Sequence, residues 1–144
     1  MFKGSIVALI TPFKNNVLDE DSYISLIHYH LSNGTKGLVP AGTTGESPTL
    51  SHKEHMRVIE LCVKESKGKI PVIAGTGSNS TDEAISLTKF AEKSGANAAL
   101  APIFSAYFVR DTASSVEFDP VPAITGILPF DSLTHNSITR LCSS

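Results

Sequence analysis

Gly37-Leu38-Val39-Pro40-Ala41-Gly42-Thr43-Thr44-Gly45-Glu46-Ser47 is the stretch that decides the fold of this chain. Its first four residues read as a short strand. They run into a loop of small residues with two adjacent hydroxyls. Just beyond, Ser51-His52-Lys53-Glu54 is a capping box: the serine hydroxyl caps one end of a helix while the glutamate reaches back. Val58, Ile59, Cys62 and Val63 then recur at helical spacing, and Lys64, Lys67 and Lys69 sit near the end, where the helix dipole favours cations. Strand, polar loop and capped helix make one βα unit.

The same unit repeats on both sides. Upstream, Ile6-Val7-Ala8-Leu9-Ile10 is a continuous β-branched run ending at Thr11-Pro12, the pattern of a strand buried on both faces. Asp19, Glu20 and Asp21 open a helix whose inner positions are Tyr23, Leu26, Ile27, His30 and Leu31, and Asn33-Gly34 closes it. Downstream, Ile70-Pro71-Val72-Ile73-Ala74 is a third strand and Gly75-Thr76-Gly77-Ser78-Asn79-Ser80 its loop. Ser80-Thr81-Asp82-Glu83 repeats the capping-box spacing, Ala84, Ile85, Leu87, Thr88 and Ala91 face inward, and Gly95 ends the helix. Asn97-Ala98-Ala99-Leu100-Ala101 is a fourth strand. Strands thus begin near residues 6, 37, 70 and 97, a repeat of about 30 residues. Such a repeat belongs to an α/β fold with parallel strands, either a (β/α)8 barrel or a doubly wound sheet. In both, the loops at the C-terminal strand ends build the site.

The 144 residues are 41% hydrophobic and 18% charged, which suits one globular domain. A net charge of -2 provides no basic footprint for nucleic acid or an anionic membrane. The apolar run at residues 6–10 is too short for a signal-peptide core or a membrane span, so a cytoplasmic protein is expected. Neither Cys62 nor Cys142 has a CxxC partner or metal-ligand spacing, and no metal or cofactor is expected.

The Gly42-to-Ser47 loop offers hydroxyls and backbone N–H groups that suit a carboxylate or a developing oxyanion; its bland alternative is a tight turn. The loop after the third strand could cradle an anion at a helix N-terminus or be a plain turn; it lacks the third glycine of a dinucleotide fingerprint. His52 and His55 lie one turn apart, but no partner glutamate completes an HExxH-type metal motif. His28 and His30 read as packing residues.

In order and spacing, Phe2-Lys3-Gly4-Ser5-Ile6-Val7-Ala8-Leu9-Ile10-Thr11-Pro12-Phe13, Ala41-Gly42-Thr43-Thr44-Gly45-Glu46-Ser47 and Ile70-Pro71-Val72-Ile73-Ala74-Gly75-Thr76-Gly77 resemble the dihydrodipicolinate synthase (4-hydroxy-tetrahydrodipicolinate synthase) family. The resemblance covers residues 1 to about 100. It implies a (β/α)8 TIM barrel, usually a homotetramer, condensing pyruvate with aspartate semialdehyde on the diaminopimelate route to lysine. A lysine amine forms a Schiff base with pyruvate, and the iminium acidifies the methyl carbon. By the same resemblance Thr43 belongs to a proton relay and Thr44 holds the pyruvate carboxylate. Ser47, His52, His55, Asn79 and Glu83 match positions that bind lysine in members under feedback control.

After residue 101 the match fails. Residues 102–144 contain no lysine and four of the eight prolines. Tyr107 lies near the place of a relay tyrosine, out of register. Asp119-Pro120-Val121-Pro122-Ala123-Ile124-Thr125-Gly126 retains V-P-x-x-T-G of a fifth-strand motif, but Asp119 stands where a second relay tyrosine is expected and Ile124 where an arginine is expected. Residues 132–141 could form a short helix. None of the nine lysines falls where the Schiff-base lysine would. The expected organisation is therefore a partial barrel over residues 1–101, three βα units plus a fourth strand, and an atypical tail over 102–144. Such a chain is expected to be incomplete and inactive alone. The alternatives are a non-catalytic remnant that binds a small anion or a partner, and a chain that does not fold stably by itself.

Overall fold

The computed structural model describes residues 2–102 and 125–129. Strand β1 is Ile6–Ala8; a hairpin follows, β2 (Phe13–Lys14) with β3 (Val17–Leu18). Helix α1 (Glu20–Ser32) leads to β4 (Gly37–Val39), a 3-10 turn at Ser47–Thr49 and helix α2 (His52–Ser66). Then come β5 (Ile73–Gly75), α3 (Thr81–Ser94), β6 (Ala98–Pro102) and β7 (Thr125–Pro129).

The parallel frame is as expected. β1 pairs with β4, Ile6 opposite Gly37, and β5 pairs with β6, Ile73 opposite Ala98. An isolated parallel bridge between Leu38 and Val72 joins β4 to the approach of β5. The Leu38 N–H donates to the Pro71 carbonyl at 3.0 Å and the Gly75 N–H to the Pro40 carbonyl at 2.9 Å. Each strand lies beside its predecessor, without the reversal of a doubly wound sheet. β1-α1-β4-α2-β5-α3-β6 is three βα units and the fourth strand of a (β/α)8 barrel.

Three strand and cap details differ from the sequence reading. β1 stops at Ala8 rather than at residue 10, although the Leu9 N–H still donates to the Val39 carbonyl at 3.0 Å. β5 begins at Ile73 rather than at residue 70, because Pro71 has no N–H for a ladder. The Ser80 cap is half a box: its hydroxyl accepts the Glu83 N–H, but the Glu83 carboxylate turns to Ser78 and His52 instead of Ser80. The Ser51 box is complete.

The hairpin has no counterpart in the sequence reading. Its signal is Asn15-Asn16, whose φ values of 53° and 61° are the left-handed pair that a two-residue hairpin turn requires. β7 also differs from a barrel strand. It runs antiparallel to β6, Pro102 opposite Thr125, whereas the next barrel strand runs parallel. The Thr125-Gly126 end of the V-P-x-x-T-G segment therefore does not occupy a fifth barrel strand. Tyr107, Asp119, Ile124, Cys142 and the helix expected over 132–141 lie outside the described residues.

The core lies between strands and helices. Tyr23 and Ile27 of α1, Val58, Ile59 and Cys62 of α2, and Leu87 and Ala91 of α3 are buried with Leu38, Val72, Ile73 and Ala74. Ala84 and Ile85, read as inward, are half-buried. α1 packs on α2 and α2 on α3. Arg57 ties α2 to α1 through Glu20, at 2.8 and 2.7 Å. Burial pushes the Cys62 thiol up to about 12, so it is an inert apolar residue, as its helical position suggested. His30, half-buried, reaches Thr35 at 3.2 Å, in keeping with a packing role, whereas His28 is exposed and makes a surface contact with Glu65 at 2.9 Å.

One contact between strand ends has no slack. A β-carbon at Gly75 would sit 2.1 Å from the Ala41 carbonyl oxygen, which is backbone and cannot step aside. Gly75→Ala is expected to cost ~3 kcal/mol or more in thermal or urea unfolding. Gly34→Ala is the comparison: nothing lies within 4 Å of its added carbon, and its φ of 78° alone costs ~1 kcal/mol. Equal losses in the two variants would sink the close approach.

Candidate functional site

Three loops meet at the C-terminal ends of the parallel strands. They are the Leu9-Ile10-Thr11 exit from β1, the Ala41-to-Ser47 loop after β4, and the Gly75-to-Ser80 loop after β5. The middle loop is a β-turn. The Gly45 N–H donates to the Gly42 carbonyl at 3.0 Å, which puts Thr43 and Thr44 at the two central positions. The Glu46 N–H donates to Thr43 at 3.1 Å and the Ser47 N–H to Gly42 at 3.3 Å, so the loop's C-terminal amides are consumed. Thr43 and Thr44 are exposed, and among the described residues nothing engages their amides or hydroxyls. Two hydroxyls and two N–H groups at a turn tip can receive a carboxylate.

The turn is held from both sides. Thr11, buried, donates its hydroxyl to the Gly45 carbonyl at 2.8 Å. Gly45 is itself pressed on the end of β1, where an added β-carbon would meet the Leu9 carbonyl at 2.9 Å. Ala41 and Glu46, at either end of the loop, adopt left-handed φ values of 52° and 55°. Side chains are disfavoured there, so the surrounding contacts must hold them.

Beside the turn lies a polar cluster between α2 and α3. His52 Nδ1 meets the Glu83 carboxylate at 3.1 Å, and Ser86 Oγ meets His52 Nε2 at 3.3 Å. Ser78 donates to the other Glu83 oxygen and accepts the Ser80 N–H at 3.1 Å. The Ser78 hydrogen bond, then the one from His52, holds the Glu83 carboxyl below the usual carboxylate range. Beside the N-terminus of α3, which the sequence offered as an anion cradle, the Glu83 carboxylate thus engages side chains only, and among the described residues it accepts none of that helix's backbone N–H groups. His55 is separate: buried, it donates from Nε2 to the Gly75 carbonyl at 2.7 Å.

The structure thus brings together His52 and Glu83 from the sequence-derived regulatory set, with His55 one turn further along α2. Ser47 is half-buried at the start of the 3-10 turn and Asn79 is exposed, and among the described residues neither side chain hydrogen-bonds to the cluster. Ser78, Ser86 and Thr11 were missed. Ser78 belongs to the quoted loop, and Thr11 ends the first apolar run, but their partners are 5 and 34 residues away. Among the described residues no group of three or more His, Cys, Asp and Glu could hold a metal. No helix among them is long and apolar enough to cross a membrane.

Comparison with known proteins points one way. The sequence pattern of the dihydrodipicolinate synthetase family matches residues 1–115. A 4-hydroxy-tetrahydrodipicolinate synthase from Pelagibacter ubique is 72% identical over 112 residues, which are 78% of this chain and 38% of that protein. A dihydrodipicolinate synthase from Aquifex aeolicus superposes with a TM-score of 0.68 at 54% identity, over 69% of this chain and 34% of that one. The chloride-inhibited dihydrodipicolinate synthase of Acinetobacter baumannii, complexed with pyruvate, gives 0.67 at 48% identity, over 70% and 35%. The chain thus spans 34 to 38% of the length of these proteins.

The buried histidine has a pH signature. Burial, more than any neighbouring charge, lowers the His55 pKa from its ordinary 6.5. Between the folded and unfolded values the unfolded chain binds more protons, so stability rises with pH through that window and is fully present above 6.5. The melting temperature is expected to fall as the pH drops below the ordinary histidine value of 6.5, and His55→Gln to flatten that fall. A variant with the wild-type pH profile would refute the assignment.

Proposed function

The chain belongs to the dihydrodipicolinate synthetase family, and from that premise we propose that its Thr43-Thr44 turn is the pyruvate-holding half of a 4-hydroxy-tetrahydrodipicolinate synthase site. The unengaged amides and hydroxyls at the turn tip carry this reading. In the complete reaction a lyase of the class I aldolase type condenses pyruvate with aspartate semialdehyde through a lysine Schiff base, on the diaminopimelate route to lysine. Thr44 holds the pyruvate carboxylate. Thr43 passes a proton, with Tyr107 as its candidate relay partner. The intact enzyme is cytoplasmic and a homo-oligomer, and Ser47, His52, His55, Asn79 and Glu83 are its lysine-responsive positions.

The 144-residue polypeptide itself stops short of covalent chemistry. A Schiff-base amine must be desolvated or set beside another cation to be a nucleophile at neutral pH. All nine lysines of this chain are exposed: Lys53, Lys64, Lys89 and Lys93 on helices, Lys14 on the hairpin, and Lys3, Lys36, Lys67 and Lys69 in connections or caps. Residues 1–101 are the barrel portion in this proposal, and residues 102–144 a tail that does not continue it. Antiparallel β7 supports that division. What these features favour for the isolated chain is binding without turnover.

Two measurements test this. Borohydride reduction with pyruvate, read by mass spectrometry, is expected to leave the chain's mass unchanged; a stable adduct on any lysine overturns the non-covalent reading. Titration calorimetry is expected to detect pyruvate, with Thr44→Val weakening it about tenfold through loss of one charge-assisted hydrogen bond. Equal affinity in the variant would remove Thr44 from the carboxylate site.

A further inference from the structure

We infer that Thr11 is a positioning residue for the pyruvate-holding turn, acting through the Gly45 carbonyl. The inference rests on the reading of Thr43 and Thr44 given above. Its basis is the way the turn is closed. Gly45 is the last residue of the β-turn whose tip is Thr43 and Thr44, so the orientation of the Gly45 peptide sets where the tip points. The N–H side of that residue is fixed inside the loop, on the Gly42 carbonyl. Its C=O side is fixed outside the loop, on the Thr11 hydroxyl at 2.8 Å, across 34 residues of sequence. Among the described residues that carbonyl takes no other hydrogen bond.

Thr11 is suited to this role by its own placement. It is only 6% exposed and stands at the exit of β1, so its hydroxyl belongs to the sheet rather than to the turn. The Leu9 N–H donates to the Val39 carbonyl at 3.0 Å, which locks that exit against β4. A donor on a fixed strand end therefore sets the register of a turn on the neighbouring strand. Without it the Gly45 carbonyl is buried and unpaired, and the turn relieves that cost by rotating toward solvent. Rotation displaces both threonines together. Thr11 touches no substrate in this arrangement, so its loss acts on affinity through geometry.

Thr11→Val removes the donor and keeps the shape; Thr11→Ser keeps the donor and drops the methyl. Calorimetry with pyruvate on the full 144-residue chain is expected to show about tenfold weaker binding in Thr11→Val and wild-type binding in Thr11→Ser. Amide hydrogen exchange at residues 45–47 is expected to quicken in the valine variant and return to normal in the serine variant. Wild-type affinity in Thr11→Val, or equal weakening in both variants, overturns the inference, the latter because it assigns the effect to the methyl. If the valine chain does not melt cooperatively, Thr11→Cys, a weaker donor, is compared with Thr11→Ser, and equal affinity overturns the inference. Should wild-type chain bind no pyruvate, the pyruvate reading fails on its own. The exchange rates then decide the anchor: unchanged rates in Thr11→Val overturn it.

Discussion

Gly75 is used on every side. Its N–H donates to Pro40 at the end of β4, its carbonyl accepts from His55 of α2, and its α-carbon lies so close to Ala41 that no side chain fits. Two strand ends and a helix therefore converge on one peptide. A residue with a β-carbon would push β5 away from β4 and open the end of the sheet where the loops gather. Ala41 can keep its left-handed backbone because this contact and the Thr11–Gly45 bond confine the loop on two sides.

The turn that results is preorganised by backbone rather than by charge. Its C-terminal amides are spent internally, while Thr43 and Thr44 are left with unengaged hydroxyls and N–H groups. The neighbouring cluster works differently. His52, Glu83, Ser78 and Ser86 form hydrogen bonds that link α2 to α3, at exposures where ion pairs are worth little in stability. His55 spends its proton on Gly75 instead. One turn of α2 thus carries two histidines in different work: one bridges helices near solvent, the other is buried against the strand end that shapes the turn.

Holding a ketoacid and reacting with it require different surroundings. The first needs oriented donors at an open loop, and the proposed function assigns that part to the unengaged Thr43-Thr44 turn. The second needs an amine whose charge is removed by burial or by a neighbouring cation, and every lysine here faces water. β7 adds a physical reason for the separation. By pairing antiparallel with β6 it takes the edge on which a further parallel strand would dock.

The order of strands and helices was legible in the sequence because each element carries its own local signal: β-branched runs, caps, glycines beyond helix ends. The Gly42-to-Ser47 loop was legible for the same reason, and so were both threonines at its tip. The Asn15-Asn16 hairpin went unread although its signal is local, because a two-residue strand has too few positions to show alternation. Tertiary structure alone decided the rest. Glu83 has the spacing of a capping-box residue, yet its two oxygens go to Ser78 of the preceding loop and to His52 of another helix instead of to Ser80. β7 pairs antiparallel because strand direction is chosen by what lies beside a strand, which no local pattern records. Thr11 lies in the quoted Phe2-to-Phe13 stretch, but nothing local marks its role, which exists only once β1 and β4 stand side by side and bring its hydroxyl to the Gly45 carbonyl. The sequence by itself determined which segments become strands, helices and a donor-rich turn. Only packing determined how that turn is aimed, because its aim depends on contacts between residues that the chain keeps far apart.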